Sequence, residues 1–466
     1  MIKLFNTLTR KKEEFKPLKK GEAKIYGCGP TVYWYQHIGN MRRYIFEDIL
    51  IRTLKYNDYK IKHIINITDV GHLTSDADEG EDKMAKALKR ENLPLNENSM
   101  KKIADKYTKV FKEDLEKLNI TKPNKWPKAT EHIKEMIETI KKIQEKGYAY
   151  ETSVGLIYDT SKFKDYVKLA KLNLKELEQG ARVKKDPERK TPSDFALWIT
   201  NQPNHIMQWD SPWGKGFPGW HIECSAMSSK YLGKQFDIHT GGEEHIPVHH
   251  TNEIAQSEAA FGKKPWVKYW LHLKWLLVKG EKMSKSKGNL YTISELEEKG
   301  YNPLAFRYLC LLTSYRKPLN FTLENLDAAQ NAYDKIKNKI IKLRSQKHKG
   351  QKDLKMYEEK FLEAIDDDLN TPKALSVFNN LLNDFDIDPK EKLKLLEKFD
   401  KVLGLDIKNM KEEKIKPTKE VQKLLEQREK AREKEKWEAS DILRDEIRKL
   451  GYNVKDTKQG QKLEKI

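Results

Sequence analysis

Two segments, Gly219-Trp-His-Ile-Glu-Cys-Ser-Ala-Met227 and His249-His-Thr-Asn-Glu253, place a thiol, several imidazoles and carboxylates within a short span. Thiolate, imidazole and carboxylate are the donors that zinc takes, usually in a tetrahedral set. Pro218 and Gly219 end whatever precedes, so the run from His221 to Leu232 predicts a short helix with Cys224 on its first turn. Past Pro247 a second helix begins, and His249 and Glu253 share one of its faces. Three corners of a site are then in place. Of the other two cysteines, Cys310 lies in the apolar run Leu309-Cys-Leu-Leu312, where a thiol behaves as a small hydrophobe. Cys28 ends the strand-like Ala23-Lys-Ile-Tyr-Gly-Cys28 ahead of Gly29-Pro30, and can sit at the carboxyl edge of a sheet, where α/β proteins bind ligands. The candidate ligands are therefore Cys28, Cys224, His249 and Glu253, with His250 as the neighbouring rival. The competing reading is two buried thiols and a solvated His/Glu pair; spacing alone leaves both open.

The elements that must position these groups read as α/β. Residues 24–26 predict a strand, 27–33 a loop, His37-Ile-Gly-Asn40 the start of a long helix with Ile45, Ile49, Leu50 and Leu54 apolar, and 60–68 a second strand. That βαβ unit suits a nucleotide-binding half-domain, although its loop carries neither GxGxxG nor GxxxxGK[ST]. The acidic stretch 70–82 does not fit a calcium-loop template and reads as a solvated loop. Helices over 99–118 and 129–146, a hairpin at 148–158 and a strand at 194–199 then interrupt the alternation, as an insertion would. The second half-fold resumes with a strand at 237–240 and a strand or hairpin over 266–278. Lys282-Met-Ser-Lys-Ser286 is short, polar and basic, a loop that can close over a site. Beyond it helices are expected at 303–313, 323–344, 354–369, 372–385 and 389–405, then a Lys/Glu-rich linker over 406–417. Residues 418–450 read as helical with a bend near Trp437, and 452–466 as a short basic tail.

Composition narrows the class. Ninety Lys and Arg against 71 Asp and Glu leave +19 over 466 residues, which favours a polyanionic partner, nucleic acid first, over merely solvated lysines. No apolar run would span a bilayer or serve as a signal peptide. Three cysteines argue for a reducing, cytoplasmic setting.

Two basic elements bracket the nucleotide fold. His37 and Asn40 open a helix whose N–H groups attract phosphate, and Lys282 and Lys285 sit on the loop that can close over it. Such a pair would stabilise charge as an α-phosphate is attacked and pyrophosphate leaves. At this point the motifs are recognisable. His37-Ile-Gly-Asn40 with Lys282-Met-Ser-Lys-Ser286 resembles the paired signatures of class I aminoacyl-tRNA synthetases. Phe5-Asn-Thr-Leu-Thr-Arg10, the Gly219–Met227 block, His249-His-Thr-Asn-Glu-Ile-Ala-Gln256 and Asp366-Asp-Asp-Leu-Asn-Thr-Pro372 resemble blocks of the cysteinyl-tRNA synthetases, over nearly the whole chain. Asn40 stands where the usual signature has His, and can still donate to a phosphate or ribose oxygen.

The resemblance implies activation of L-cysteine by Mg2+-bound ATP, transfer to the 3′ end of tRNA(Cys), and one zinc ion on Cys28, Cys224, His249 and Glu253. It implies ATP contacts from His37, Gly39, Asn40 and Lys285, and an amino-acid pocket lined by Gly29, Thr31, Thr68, Trp220 and His239. The implied architecture is a Rossmann-like catalytic domain (1–125 and 210–278) with a connective insertion (126–209) too short to edit. A signature-loop and stem-contact region (279–320), a helical bundle (321–405) and an anticodon-binding domain (418–466) follow. Arg428, Lys430, Arg432, Lys434, Lys436 and Arg444 would give the last of these a basic helical surface, with Trp437 and Tyr452 for stacking and Asp441 or Asp456 for a guanine edge. A monomer is expected. Two other functions compete: a ligase joining activated cysteine to a small amine, and a non-catalytic RNA-binding protein with structural zinc. The basic bundle argues against the first, and the paired lysines against the second.

Overall fold

A computed structural model describes residues 1–71, 82–171, 187–282, 290–348, 350, 352–412, 417–457 and 460–465. Its centre is a parallel sheet. In chain order, β1 (Glu22–Gly27), α1 (Ile38–Tyr56) and β2 (Lys60–Ile65) form one βαβ unit. After a long insertion, α2 (Trp220–Leu232) leads into β3 (Phe236–Gly242), α3 (His249–Phe261) and β4 (Val267–Leu273), the second unit. The strand order is β4-β3-β1-β2, every pair parallel, with Gly27 registered against both Ile65 and Thr240. Ile25, Tyr26, Ile64, Ile65, Ile238 and Leu271 are buried, as a parallel sheet covered on both faces requires. Chain connections leave β1 and β3 in opposite directions, so a crevice opens at their carboxyl ends.

α1 is buried almost all round, and its charged residues are buried with it. Arg42, Arg43, Glu47 and Asp48 are all under a tenth exposed. Each has a partner: Asp48 bonds Arg52 and Arg307 at 2.6 Å, Glu47 bonds His63 at 2.8 Å, and Arg42 donates to the Lys274 and Trp275 carbonyls at 2.8 and 2.9 Å. A buried charge persists only when paired in this way.

The insertion between β2 and α2 carries the helices Lys83–Arg90, Glu97–Lys117 and Ile133–Glu145. Beside them lies an antiparallel sheet ordered Ala149–Thr152, Gly155–Tyr158, Phe195–Thr200 and Gly216–Pro218. The hairpin expected at 148–158 is its first pair. Helix Lys83–Arg90 was not expected; it starts where Asp82 accepts from the Met84 N–H at 2.7 Å, a cap inside what reads as an acidic loop. The rest of that loop, 72–81, lies outside the described residues, as does Lys285. The stretch 266–278 divides into β4 and the strand Leu276–Val278, which pairs with Glu281–Lys282 and, in parallel, with Leu319–Phe321.

The helices Pro303–Leu311, Leu323–Ser345, Lys355–Asp366, Thr371–Asn383 and Pro389–Leu403 end within three residues of the expected bounds. Asn302, Thr322, Asn370 and Asp388 cap four of them, the residue types whose side chains satisfy free helical N–H groups. The chain divides into two compact units, Met1–Asn409 and Met410–Ile466, parted within the Lys/Glu-rich stretch 406–417. In the second unit, Lys419–Glu433 and Trp437–Lys449 are separate helices, with Glu435 left-handed (φ 56°) between them. The expected basic tail is instead a hairpin, Tyr452–Thr457 with Gly460–Lys465, whose Val454 packs on Val421 and Ile447. Among the described residues no helix is long and apolar enough to cross a membrane.

Candidate active site

Four groups distant in the chain meet at the crevice. Cys28 follows β1, Cys224 opens the second turn of α2, and His249 and Glu253 lie on the first turns of α3. One donor atom from each lies within 4.8 Å of the others, and all four residues are buried. Cys224 Sγ is 3.7 Å from His249 Nε2, Cys28 Sγ is 3.9 Å from Glu253 Oε1, and His249 Nε2 is 2.9 Å from Glu253 Oε1. Ligands on a tetrahedral zinc lie about 3–4 Å apart. The donor set therefore fits that ion in size as well as in chemistry.

A further layer orients these donors. His239 Nε2 lies 2.8 Å from Glu253 Oε2, and His221 Nδ1 lies 2.9 Å from His249 Nδ1, so each group turns its remaining atom inward. Such partners fix the tautomer and direction of a metal ligand. The rival His250 is close as well: Nε2 is 3.2 Å from Cys28 Sγ and Nδ1 is 2.7 Å from His272 Nε2. Cys28, His239, His250 and Glu253 thus make a second convergent set. It offers one sulfur where the first offers two, and soft thiolates are the donors that select zinc.

Burial favours the neutral form of these groups, and for Glu253, His249 and Cys28 the neighbours outweigh it. His239 and His249 hold Glu253 down to about 2, and Glu253 with Cys28 lifts His249 to about 10. Against the same burial, Cys224 and His239 bring the Cys28 thiol down to about 6. The hydrogen bond with Cys28 and burial push Cys224 well up. Metal binding at thiols requires their deprotonation, so a dication held here would favour the thiolate form of both.

The residues expected to line the amino-acid pocket surround this cluster. Gly29 N donates to Asn66 Oδ1 at 2.6 Å, Asn66 Nδ2 to Thr68 Oγ1 at 3.1 Å, and Thr68 Oγ1 to Glu223 Oε2 at 2.7 Å. Thr31 pairs with Thr68 through the backbone. A Cβ on Gly29 would stand 1.5 Å from the Asn66 carbonyl oxygen, so only glycine fits. The Trp220 ring lies over His249 at 4.2 Å between centroids. His239 stands behind Glu253, fully buried and stacked on Trp270 at 4.7 Å. Asn66, Glu223, His221 and His272 were missed in the sequence; His239 was expected in the pocket. The histidines had left a signal, since five of the chain's twelve fall between His221 and His250. Asn66 and Glu223 had left none.

The N-terminus of α1 adjoins. His37 caps α1, its Nδ1 accepting from Asn40 N at 3.3 Å. His37, Gly39, Asn40 and Arg43 face Gly242 and Trp275 across a cleft of about 510 Å3. Arg43 also donates to the Cys28 carbonyl, tying this cleft to the donor cluster. Lys282 pairs through its backbone with Leu277 at the start of the loop.

In the second unit, Arg428 corrects the expected basic surface: its side chain is fully buried. It grips Asp456 with two bonds of 2.8 and 3.0 Å and Gln461 with one of 2.7 Å. Arg432 meets the same carboxylate at 2.9 Å, so both Asp456 oxygens carry guanidinium partners within the unit. Asp441 pairs with Arg444 at 3.1 Å, while Trp437 is 56% exposed beside Arg432, an open aromatic face.

A four-stranded parallel sheet with a donor cluster at the strand switch, next to the capped N-terminus of a helix, is the catalytic architecture of the class I aminoacyl-tRNA synthetases. Solved structures agree on the fold. A Mycobacterium tuberculosis methionyl-tRNA synthetase in complex with methionyl-adenylate aligns with TM-score 0.58 at 14% identity over 82% of this chain and 90% of that one. The Agrobacterium radiobacter K84 agnB2 LeuRS–tRNA–LeuAMS complex aligns with TM-score 0.60 at 11% identity, covering 85% of each chain. Within the class, the family model for the tRNA synthetases class I (C) catalytic domain matches residues 14–331. A DALR domain matches 360–408, and a cysteinyl-tRNA ligase anticodon binding domain matches 417–462. The cysteine–tRNA ligase of Treponema denticola is 44% identical over 98% of both chains, and that of Thermus thermophilus is 40% identical over the same shares. The chain belongs to the cysteine–tRNA ligase family.

Proposed function

We propose that this protein activates L-cysteine with ATP, taken as its Mg2+ complex, and transfers the cysteinyl group to the 3′ end of tRNA(Cys). The observation that carries the reading is the convergence of Cys28, Cys224, His249 and Glu253 beside the phosphate-facing end of α1. Serine and cysteine differ by one atom, a contrast that an apolar pocket separates poorly. Those four residues would hold a zinc ion, which would favour thiolate over hydroxyl and so supply the missing discrimination.

The chain's own groups do the rest. Gly29, Thr31, Thr68 and Trp220 hold the amino acid with its carboxylate toward the cleft. His37, Gly39 and Asn40 place the triphosphate at the α1 N-terminus, where helix dipole and N–H groups favour anions. Lys282 and Lys285 bring positive charge to the phosphates as pyrophosphate leaves. No side-chain nucleophile is needed; catalysis is positioning plus electrostatics. All four ligands come from one chain, which accords with one ion per monomer. The second unit takes the anticodon, with Trp437 and Arg432 as its open stacking pair.

The test is cysteine-dependent ATP–pyrophosphate exchange, run with and without a chelator and with serine as control. Exchange that needs cysteine and falls with chelation is expected. Activity that ignores the chelator, or accepts serine equally, overturns the reading.

A further inference from the structure

The loop that joins β1 to α1 carries, just before His37, the run Tyr33-Trp34-Tyr35, for which the chemistry above has no use. Among the described residues of that loop, Tyr35 is the large side chain exposed to solvent, at 37%. It is held upright. Its ring meets Trp34 edge-on at 5.2 Å and 75°, and Tyr107 at 5.1 Å and 88°. Arg90 lies over Trp34 with its guanidinium carbon 3.4 Å from the ring centroid, and donates to the Tyr33 carbonyl at 2.9 Å. Tyr107 is pinned in turn by a hydrogen bond to Glu91, whose other oxygen holds Lys106 at 2.7 Å.

The surface behind these rings is basic. Residues 83–110 hold eight Lys and Arg against three Asp and Glu, and Lys86, Lys89, Arg90, Lys102 and Lys106 are exposed. Rigid aromatic faces with surrounding cations are what single-stranded nucleic acid stacks upon, and every base can use them. A membrane surface or an acidic peptide would use the charge but would not need an exposed ring fixed edge-on by its neighbours.

We propose that Tyr35, braced by Trp34, Tyr107 and Arg90, is a stacking platform for the single-stranded 3′ end of the tRNA, aiming its terminal ribose at the adenylate cleft. The inference rests on the tRNA-charging function proposed above. It adds a positioning surface used in the transfer step and not in activation, since Tyr35 lies outside the residues assigned to zinc, cysteine and ATP.

The experiment compares wild type, Tyr35→Ala and Tyr35→Phe in three assays: cysteine-dependent pyrophosphate exchange, tRNA charging, and binding of intact tRNA against tRNA lacking its 3′-terminal nucleotides. Tyr35→Ala is expected to keep exchange while raising the KM for tRNA about tenfold, the range that one base–aromatic stack spans. It should also bind intact and truncated tRNA alike, whereas wild type prefers intact tRNA, and Tyr35→Phe should behave as wild type. The proposal is overturned if Tyr35→Ala charges normally, loses exchange in parallel with charging, or keeps the preference for intact tRNA. A wild-type protein without cysteine-dependent exchange would instead defeat the underlying function, so the two failures are distinguishable.

Discussion

At the scale of single residues, the donor role of Cys224 can be tested. Cys224 and His239 draw the Cys28 thiol down, while Cys28 and burial push Cys224 up. Replacing Cys224 by Ser removes a soft donor and leaves a hydroxyl that a zinc site binds poorly. Cys224→Ser is expected to lower bound zinc and cysteine activation more than about a hundredfold, beyond the loss seen when only a supporting partner is removed. ATP binding should persist, and metal analysis with nucleotide titration of the same preparation checks both halves. Equal loss of ATP binding would mark the metal as structural. Lys285→Ala is expected to do the reverse, slowing adenylate formation while bound zinc stays at the wild-type level. A metal-poor variant would dissolve that division of labour.

Among the elements, the helix Glu97–Lys117 carries a penalty that pH should expose. Asp114 lies near its C-terminus, where the helix dipole disfavours negative charge, and its side chain is 2% exposed. Burial pushes the carboxyl from 3.8 up to about 7, against only a distant Lys117 at 4.0 Å. With the folded value above the unfolded one, the folded state binds the extra proton. Stability therefore falls as pH rises from about 4 to about 7 and stays lowered above that. Asp114→Asn is expected to match wild type near pH 4 and to exceed it by about 1–2 kcal/mol at pH 8. Paired denaturation curves at the two pH values check this; a gain independent of pH would assign the effect to packing.

At the scale of the whole molecule, a buried guanidinium joins three distant segments of the first unit. Arg307 reaches Asp48 of α1 at 2.6 Å, the Leu403 carbonyl of the helical bundle at 2.8 Å and the Leu118 carbonyl of the insertion at 3.0 Å. Gly404, left-handed at φ 66°, passes so close that a Cβ would stand 2.4 Å from the guanidinium. Removing one side of a buried ion pair strands the other, at about 3–5 kcal/mol. Arg307→Met is thus expected to lower unfolding free energy by about 3 kcal/mol, measured by urea denaturation, since Arg52 remains to Asp48. A change under about 1 kcal/mol would show that the three segments are joined by packing alone.

Much of this organisation was legible in the chain itself. The two helices that carry Cys224, His249 and Glu253, the βαβ order and the bundle helices follow from local rules, because periodicity and capping residues act over a few positions. The candidate donors could be named from residue type and spacing, which left open whether they meet. Other features were hidden because their partners are distant. Asn66 and Glu223 have no periodicity to betray them, and matter only where they meet Gly29 and Thr68. Arg428 reads as a surface cation, and is buried because a hairpin folds back to present Asp456. His250 and His249 are neighbours of one chemistry, and only the placement of His221, His239 and His272 distinguishes which ring turns to which thiol. The sequence by itself determined which elements form and which donors exist; tertiary structure decided which of them meet, because contact between distant residues is set by how the sheet and helices pack and not by spacing along the chain.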